Sequence, residues 1–136
     1  MIEIRTENPT DVAAPLGPYS HIARLKGHQE LIFIAGQLPV DGSGNVVGEN
    51  DFDRQCTQVY ENIGSILRSV GAEFSNVVQF TTYITDADYI PLIRSWRKRE
   101  FPRIFADHAF PPNTLLVVDR LADAVFKIEV QTIAAI

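Results

Sequence analysis

The chain has 136 residues, 46% hydrophobic and 21% charged, with a single cysteine, which fits one compact domain over residues 1–136 and excludes a disordered, collagenous or disulfide-built chain. Twelve Lys and Arg against 17 Asp and Glu leave a net charge of −5, so the surface as a whole is not built for nucleic acid or an anionic membrane. The polar start Met1-Ile-Glu-Ile-Arg lacks the layout of a secretion signal, and no apolar run approaches the ~18 residues that span a bilayer. The expectation is a cytoplasmic protein.

Three strands are predicted first, at Ile2 to Arg5, His21 to Leu25 and the apolar run Leu31 to Ala35. Asp41-Gly-Ser-Gly-Asn45 is dense in turn formers and reads as a surface loop. A helix begins at Asn50 or Asp51, with Phe52, Cys56, Val59, Ile63, Ile66, Leu67 and Val70 on one face, and Gly71 stops it. Val77 to Ile84 is rich in β-branched and aromatic residues and reads as a strand. A second helix follows, capped by Asp86 or Asp88, with Pro91 in its first turn and an expected end before Pro102. Thr114 to Val118 and Phe126 to Ala134 make the last two strands. The order β-β-β-α-β-α-β-β predicts an α+β fold, a mixed sheet with both helices packed on one face.

The last strand alternates Phe126, Ile128 and Val130 with Lys127, Glu129 and Gln131, so one side suits a helix-packed core. Ile133 and Tyr83 fall on the less apolar registers, and the second face is therefore expected to be covered in part by another subunit.

The sequence carries no metal-binding spacing among His21, His28, His108 and Cys56, and no phosphate loop or nucleophile elbow, which predicts no metal and no cofactor. Cys56 lies on the apolar helical stripe and reads as a core thiol. Arg94, Arg97, Lys98, Arg99 and Arg103 crowd the second helix beside Trp96 and Phe101. They read as a solvated face balanced by Asp86, Asp88 and Glu100, with an anion or RNA grip as the lesser alternative. From spacing alone Glu129 reads first as an exposed ion-pair partner on the polar side of its strand beside Lys127 and Gln131, with a functional carboxylate as the lesser alternative.

The segments Ala14-Pro-Leu-Gly-Pro-Tyr-Ser-His21 and Ala35-Gly-Gln-Leu-Pro39, followed by Lys127-Ile-Glu-Val130, resemble the Rid (YjgF) family of enamine and imine deaminases. The resemblance implies a chorismate-mutase-like fold and a homotrimer with small-molecule clefts between subunits. It places Tyr19 at the cleft wall, the Gly36 backbone at the substrate, and Glu129 on the hydrolytic water. It also sets Asn113, beside Thr114, where members acting on amino-acid-derived enamines carry an arginine for the substrate carboxylate. A neutral amide forgoes charge-assisted bonds worth about 1.5–3 kcal/mol, so weak action on 2-aminoacrylate is expected. Arg94, Arg97 and Arg120 are candidate replacement cations. A hydrolase of another imine leads, a noncatalytic small-molecule-binding trimer is the alternative, and an endoribonuclease or translation inhibitor is a minor one. No nucleic-acid or membrane partner is expected.

Overall fold

The computed structural model describes residues 1–136. Its elements run β1 (Glu3–Glu7), β2 (Ile22–Lys26), β3 (Leu31–Gln37), α1 (Phe52–Ser69), β4 (Val77–Ile84), α2 (Tyr89–Ile104), β5 (Asn113–Val117) and β6 (Ile128–Ala135). The predicted order and α+β class hold, with one refinement. β1 and β2 pair only with each other, as an antiparallel two-stranded ribbon, while the main sheet has the order β3-β6-β4-β5. In that sheet β6 runs antiparallel to both β3 and β4, and β5 lies parallel to β4 on the edge.

Helix α1 forms where its periodicity demands. Asp51 accepts the Arg54 backbone N–H at 3.1 Å as the N-cap, and Cys56, Val59, Ile63 and Leu67 are fully buried. The stripe ends earlier than predicted, because Gly71 turns the chain at φ +76° and leaves Val70 43% exposed. Helix α2 departs further from expectation: it continues through Pro102. Pro102 removes one intrahelical bond, a cost of up to ~3 kcal/mol in a helix interior. Here it lies in the final turn, where burial of Phe101 and Phe105 and the Phe105 N–H bond to the Phe101 carbonyl at 2.7 Å hold the helix together.

The core lies between the two helices and one face of the main sheet. Tyr60 stacks on Trp96 with ring centroids 4.7 Å apart, and Phe80, Phe101 and Phe105 close the cluster edge-on. On β6, Ile128, Val130, Thr132 and Ala134 face this core, while Glu129, Gln131 and Ile133 face the uncovered side. That side also carries Phe33, 71% exposed, and Leu116. Two amides on α1 fix the strands that matter for the site. Fully buried Gln55 donates to the Val125 carbonyl and accepts the Lys127 N–H, at 2.9 and 2.8 Å, pinning the entry to β6. Asn62 donates to the Leu38 and Val40 carbonyls, pinning the exit from β3.

Candidate functional site

The predicted site residues fall into two groups. The first is Gly36 with Glu129. Between Ile34, opposite Thr132, and Gln37, opposite Val130, the β3–β6 register slips, and the bulge holds Gly36. The Glu129 side chain lies directly over it: a Cβ built on Gly36 would stand 2.8 Å from Glu129 Cδ and 2.9 Å from Cγ. Only glycine leaves room for that carboxylate. Glu129 takes part in none of the ion pairs of the chain, and Lys127 instead donates through Nζ to the Ala124 carbonyl. The expected Lys127–Glu129 pair does not form, since the Lys127 ammonium is drawn back to its own loop.

The second group is Tyr19 with Asn113. They line a cavity of about 300 Å³ with Leu16, Ile90, Arg94, Arg97 and Leu115, between the Leu16–Tyr19 loop, α2 and the edge strand β5. The Tyr19 hydroxyl accepts the Leu16 N–H at 3.2 Å, which folds the loop on itself. Asn113 stands opposite Phe80 in the parallel β4–β5 ladder and bonds buried Thr82 at 2.8 Å. Its side chain therefore points to the helix side. Glu129, opposite Tyr83, points to the uncovered side. Within one subunit the two groups occupy opposite faces of the sheet. Thr114 goes with neither, lying exposed on the uncovered side opposite Thr81.

Arg97 is the residue that the sequence reading misplaced. It is not on a solvated face but 6% exposed, with Ile93 one turn before it and Phe101 one turn after it, both fully packed. Those two positions, four residues either side, were the available signal. Its Nη2 donates to Thr82 Oγ1 at 2.7 Å and Asn113 Oδ1 at 3.3 Å, its guanidinium lies 5.8 Å from the Phe101 ring centroid, and its Nε has no partner. No carboxylate pairs with it, whereas Arg99 is held by Asp53 and Glu100, and Arg103 by Glu100. The balanced-face reading is right for Arg99 and Arg103 and wrong for Arg97. Arg120 turns to the carbonyls of Leu121 and Ala122 and stays out of the cavity.

Cys56 is a packed core thiol, and burial pushes its pKa far above the ordinary range. Burial likewise raises the Tyr60 hydroxyl against the pull of the Arg97 charge. No three metal-ligating side chains converge, and no helix is long and apolar enough to cross a membrane.

Residues 10–136 match the family model described as endoribonuclease L-PSP. A RutC family protein of Buchnera aphidicola is 31% identical over 124 residues, covering 91% of each chain. The 2-iminobutanoate/2-iminopropanoate deaminase of Salmonella typhimurium is 29% identical over 133 residues, 96% of this chain and 94% of that one. A RutC family protein of Pyrococcus abyssi reaches 38%, but over 72 residues, so the match spans only 54% of its length. Among solved structures, a Rid family protein of unknown function, YyfB of Yersinia pestis, superposes with a TM-score of 0.86 at 25% identity over 98% of both chains. The YjgF product of Escherichia coli superposes at 0.70 and 24% identity over 96% of this chain and 98% of that one, a likeness of fold.

Proposed function

The chain belongs to the Rid/YjgF family, and from that premise we propose that it hydrolyses an enamine or imine, releasing ammonia, with Glu129 as the proton-transferring carboxylate. The observation that carries the reading is the unpaired Glu129 carboxylate seated against the Gly36 backbone on the uncovered sheet face. Water adding to the imine carbon loses a proton, and the departing nitrogen gains one. A carboxylate acting through one water serves both transfers, and the rigid strand β6, pinned by Gln55, keeps it in register.

The assembly we propose is a homotrimer. Exposed Phe33, Leu31 and Leu116 on the same face as Glu129 support a covering subunit, and a neighbour so placed could bring a Tyr19–Asn113 cleft toward a Glu129 carboxylate. The substrate is expected to differ from 2-aminoacrylate, because Asn113 already accepts from Thr82 and Arg97 and offers no charge of its own. The family model's description names an endoribonuclease, but the net charge of −5 and the internal pairing of Arg99 and Arg103 weigh against a nucleic-acid face.

The test is ammonia release from a panel of freshly generated imines by the wild type and Glu129→Gln. Loss of a general acid–base group lowers kcat by about 10²–10⁴-fold, with stability moving by less than roughly 1 kcal/mol. An intact, fully active Glu129→Gln protein would remove Glu129 from the chemistry and favour a noncatalytic small-molecule-binding role.

A further inference from the structure

A cavity of about 490 Å³ runs as a groove between α1 and α2, with Phe74 of the short 3₁₀ turn Phe74–Asn76 in its wall, and none of Tyr19, Gly36, Asn113 or Glu129 borders it. Its deepest residues are aromatic. Tyr60 and Trp96 stack there with centroids 4.7 Å apart, and Trp96 Nε1–H donates to Thr57 Oγ1 at 3.1 Å, tying the two helices together. Glycine is a poor residue for a helix interior, yet Gly64 stands in the middle of α1. A Cβ on it would lie 3.1 Å from Phe74 Cε2 and 3.3 Å from Arg68 Nη1. The phenyl ring and the guanidinium therefore lie against bare helix backbone and wall the groove.

The charged side chains along the groove differ in what they meet. Glu100 is neutralised by Arg99 and Arg103. Glu61 enters no ion pair, and neither does Arg68, whose Nη2 donates to Ser65 Oγ at 3.1 Å. Glu61 and Arg68 are seven residues apart on α1, about 10 Å along its axis, but Arg68 folds back over Gly64, which brings its charge to within about one turn of Glu61. Solvated surface charges need no partner; what sets these two apart is the aromatic-floored cavity they share.

We propose that this groove binds a small zwitterion, an α-amino acid with a large apolar side chain, its carboxylate on Arg68, its ammonium on Glu61 and its side chain against Phe74 and Ile104. Opposite charges flanking apolar surface match an amphoteric ligand, whereas a simple anion or cation meets one attracting and one repelling group. The volume falls in the range of small-molecule pockets. The groove lies on the helix side of the sheet, so a subunit covering the Glu129 face leaves it open. The inference stands apart from the hydrolase reading, since it uses none of the residues that reading needs.

The experiment follows the fluorescence of Trp96, the only tryptophan, as the intact protein is titrated with L-leucine, N-acetyl-L-leucine, L-leucinamide and glycine. Leucine is expected to bind with a dissociation constant on the order of 1 mM or tighter. The acetylated and amidated forms, each lacking one charge, should bind at least about threefold more weakly, and glycine, lacking the side chain, weaker still than leucine. Arg68→Met should bind leucine no better than it binds leucinamide, and Glu61→Gln no better than it binds N-acetyl-leucine. Both positions are exposed, so both variants should keep the wild-type melting temperature. Glu129→Gln should bind leucine as the wild type does, so a failure of the hydrolase reading leaves this result standing. No saturable change at about ten times the expected dissociation constant would overturn the proposal. Undiminished leucine binding by Arg68→Met or Glu61→Gln, or glycine binding as tightly as leucine, would overturn it too.

Discussion

Gly36→Ala tests whether the Glu129 carboxylate is seated where the structure puts it, and it needs no known substrate. The alanine Cβ would meet Glu129 Cδ at 2.8 Å and Cγ at 2.9 Å, against an ordinary carbon–carbon separation of about 3.5–4.0 Å. The overlap is roughly 0.6–1.2 Å and involves Cγ as well as the carboxylate end, so Glu129 must leave its rotamer. Overpacking of this kind costs about 1–3 kcal/mol, and the lower half of that range is expected because Glu129 is only half-buried and can swing outward. Gly36 does not have positive φ, so backbone strain adds little. In a Glu129→Ala background the clash is gone, and the same substitution should cost less than about 0.5 kcal/mol. The coupling of about 1 kcal/mol is read from urea or thermal unfolding of the four proteins at one concentration, where it corresponds to roughly 3–6 °C for a chain of this size. An equal loss in both backgrounds would show that Glu129 does not pack on Gly36, and the assignment of the pair would fall with it.

Light scattering after size exclusion should give about three times the 15.2 kDa chain mass; a single-chain mass at micromolar concentration would sink the trimer and the covered face. Alkaline pH should destabilise the fold. Cys56 and Tyr60 are held protonated by burial, whereas in the unfolded chain they ionise near their ordinary 9.0 and 10.0. The native state then binds more protons above pH 9, so this contribution is whole below that pH and falls by about 1 kcal/mol from Cys56 alone between pH 9 and 10. Urea midpoints across that interval check it, with a flatter slope expected for Cys56→Ala. RNA should bind poorly. A submicromolar affinity that weakens steeply with salt would contradict the pairing of Arg99 and Arg103 as the fate of those charges.

Much of this protein is written in short-range pattern. The alternation of Ile128, Val130 and Thr132 against Glu129 and Gln131, and the steps linking Cys56, Val59, Ile63 and Leu67, declare a one-sided strand and a one-sided helix. Side-chain direction along a single element follows from backbone period alone. The order of elements and the α+β class follow for the same reason, and the signature segments around Tyr19, Gly36 and Glu129 identify the family. Tertiary structure decided what no period encodes. Proline at 102 stays within a helix because Phe101 and Phe105 are buried there. The first two strands leave the main sheet because they find each other as partners. Glu129 meets Gly36 only through a bulge between distant strands. Arg97, which composition assigns to solvent, is carried inside by the helix that buries Ile93 and Phe101, and its charge meets Asn113 there because β5 pairs in parallel with β4. Burial of a charged residue is set by which faces meet across the fold, and that depends on contacts between segments far apart in the chain.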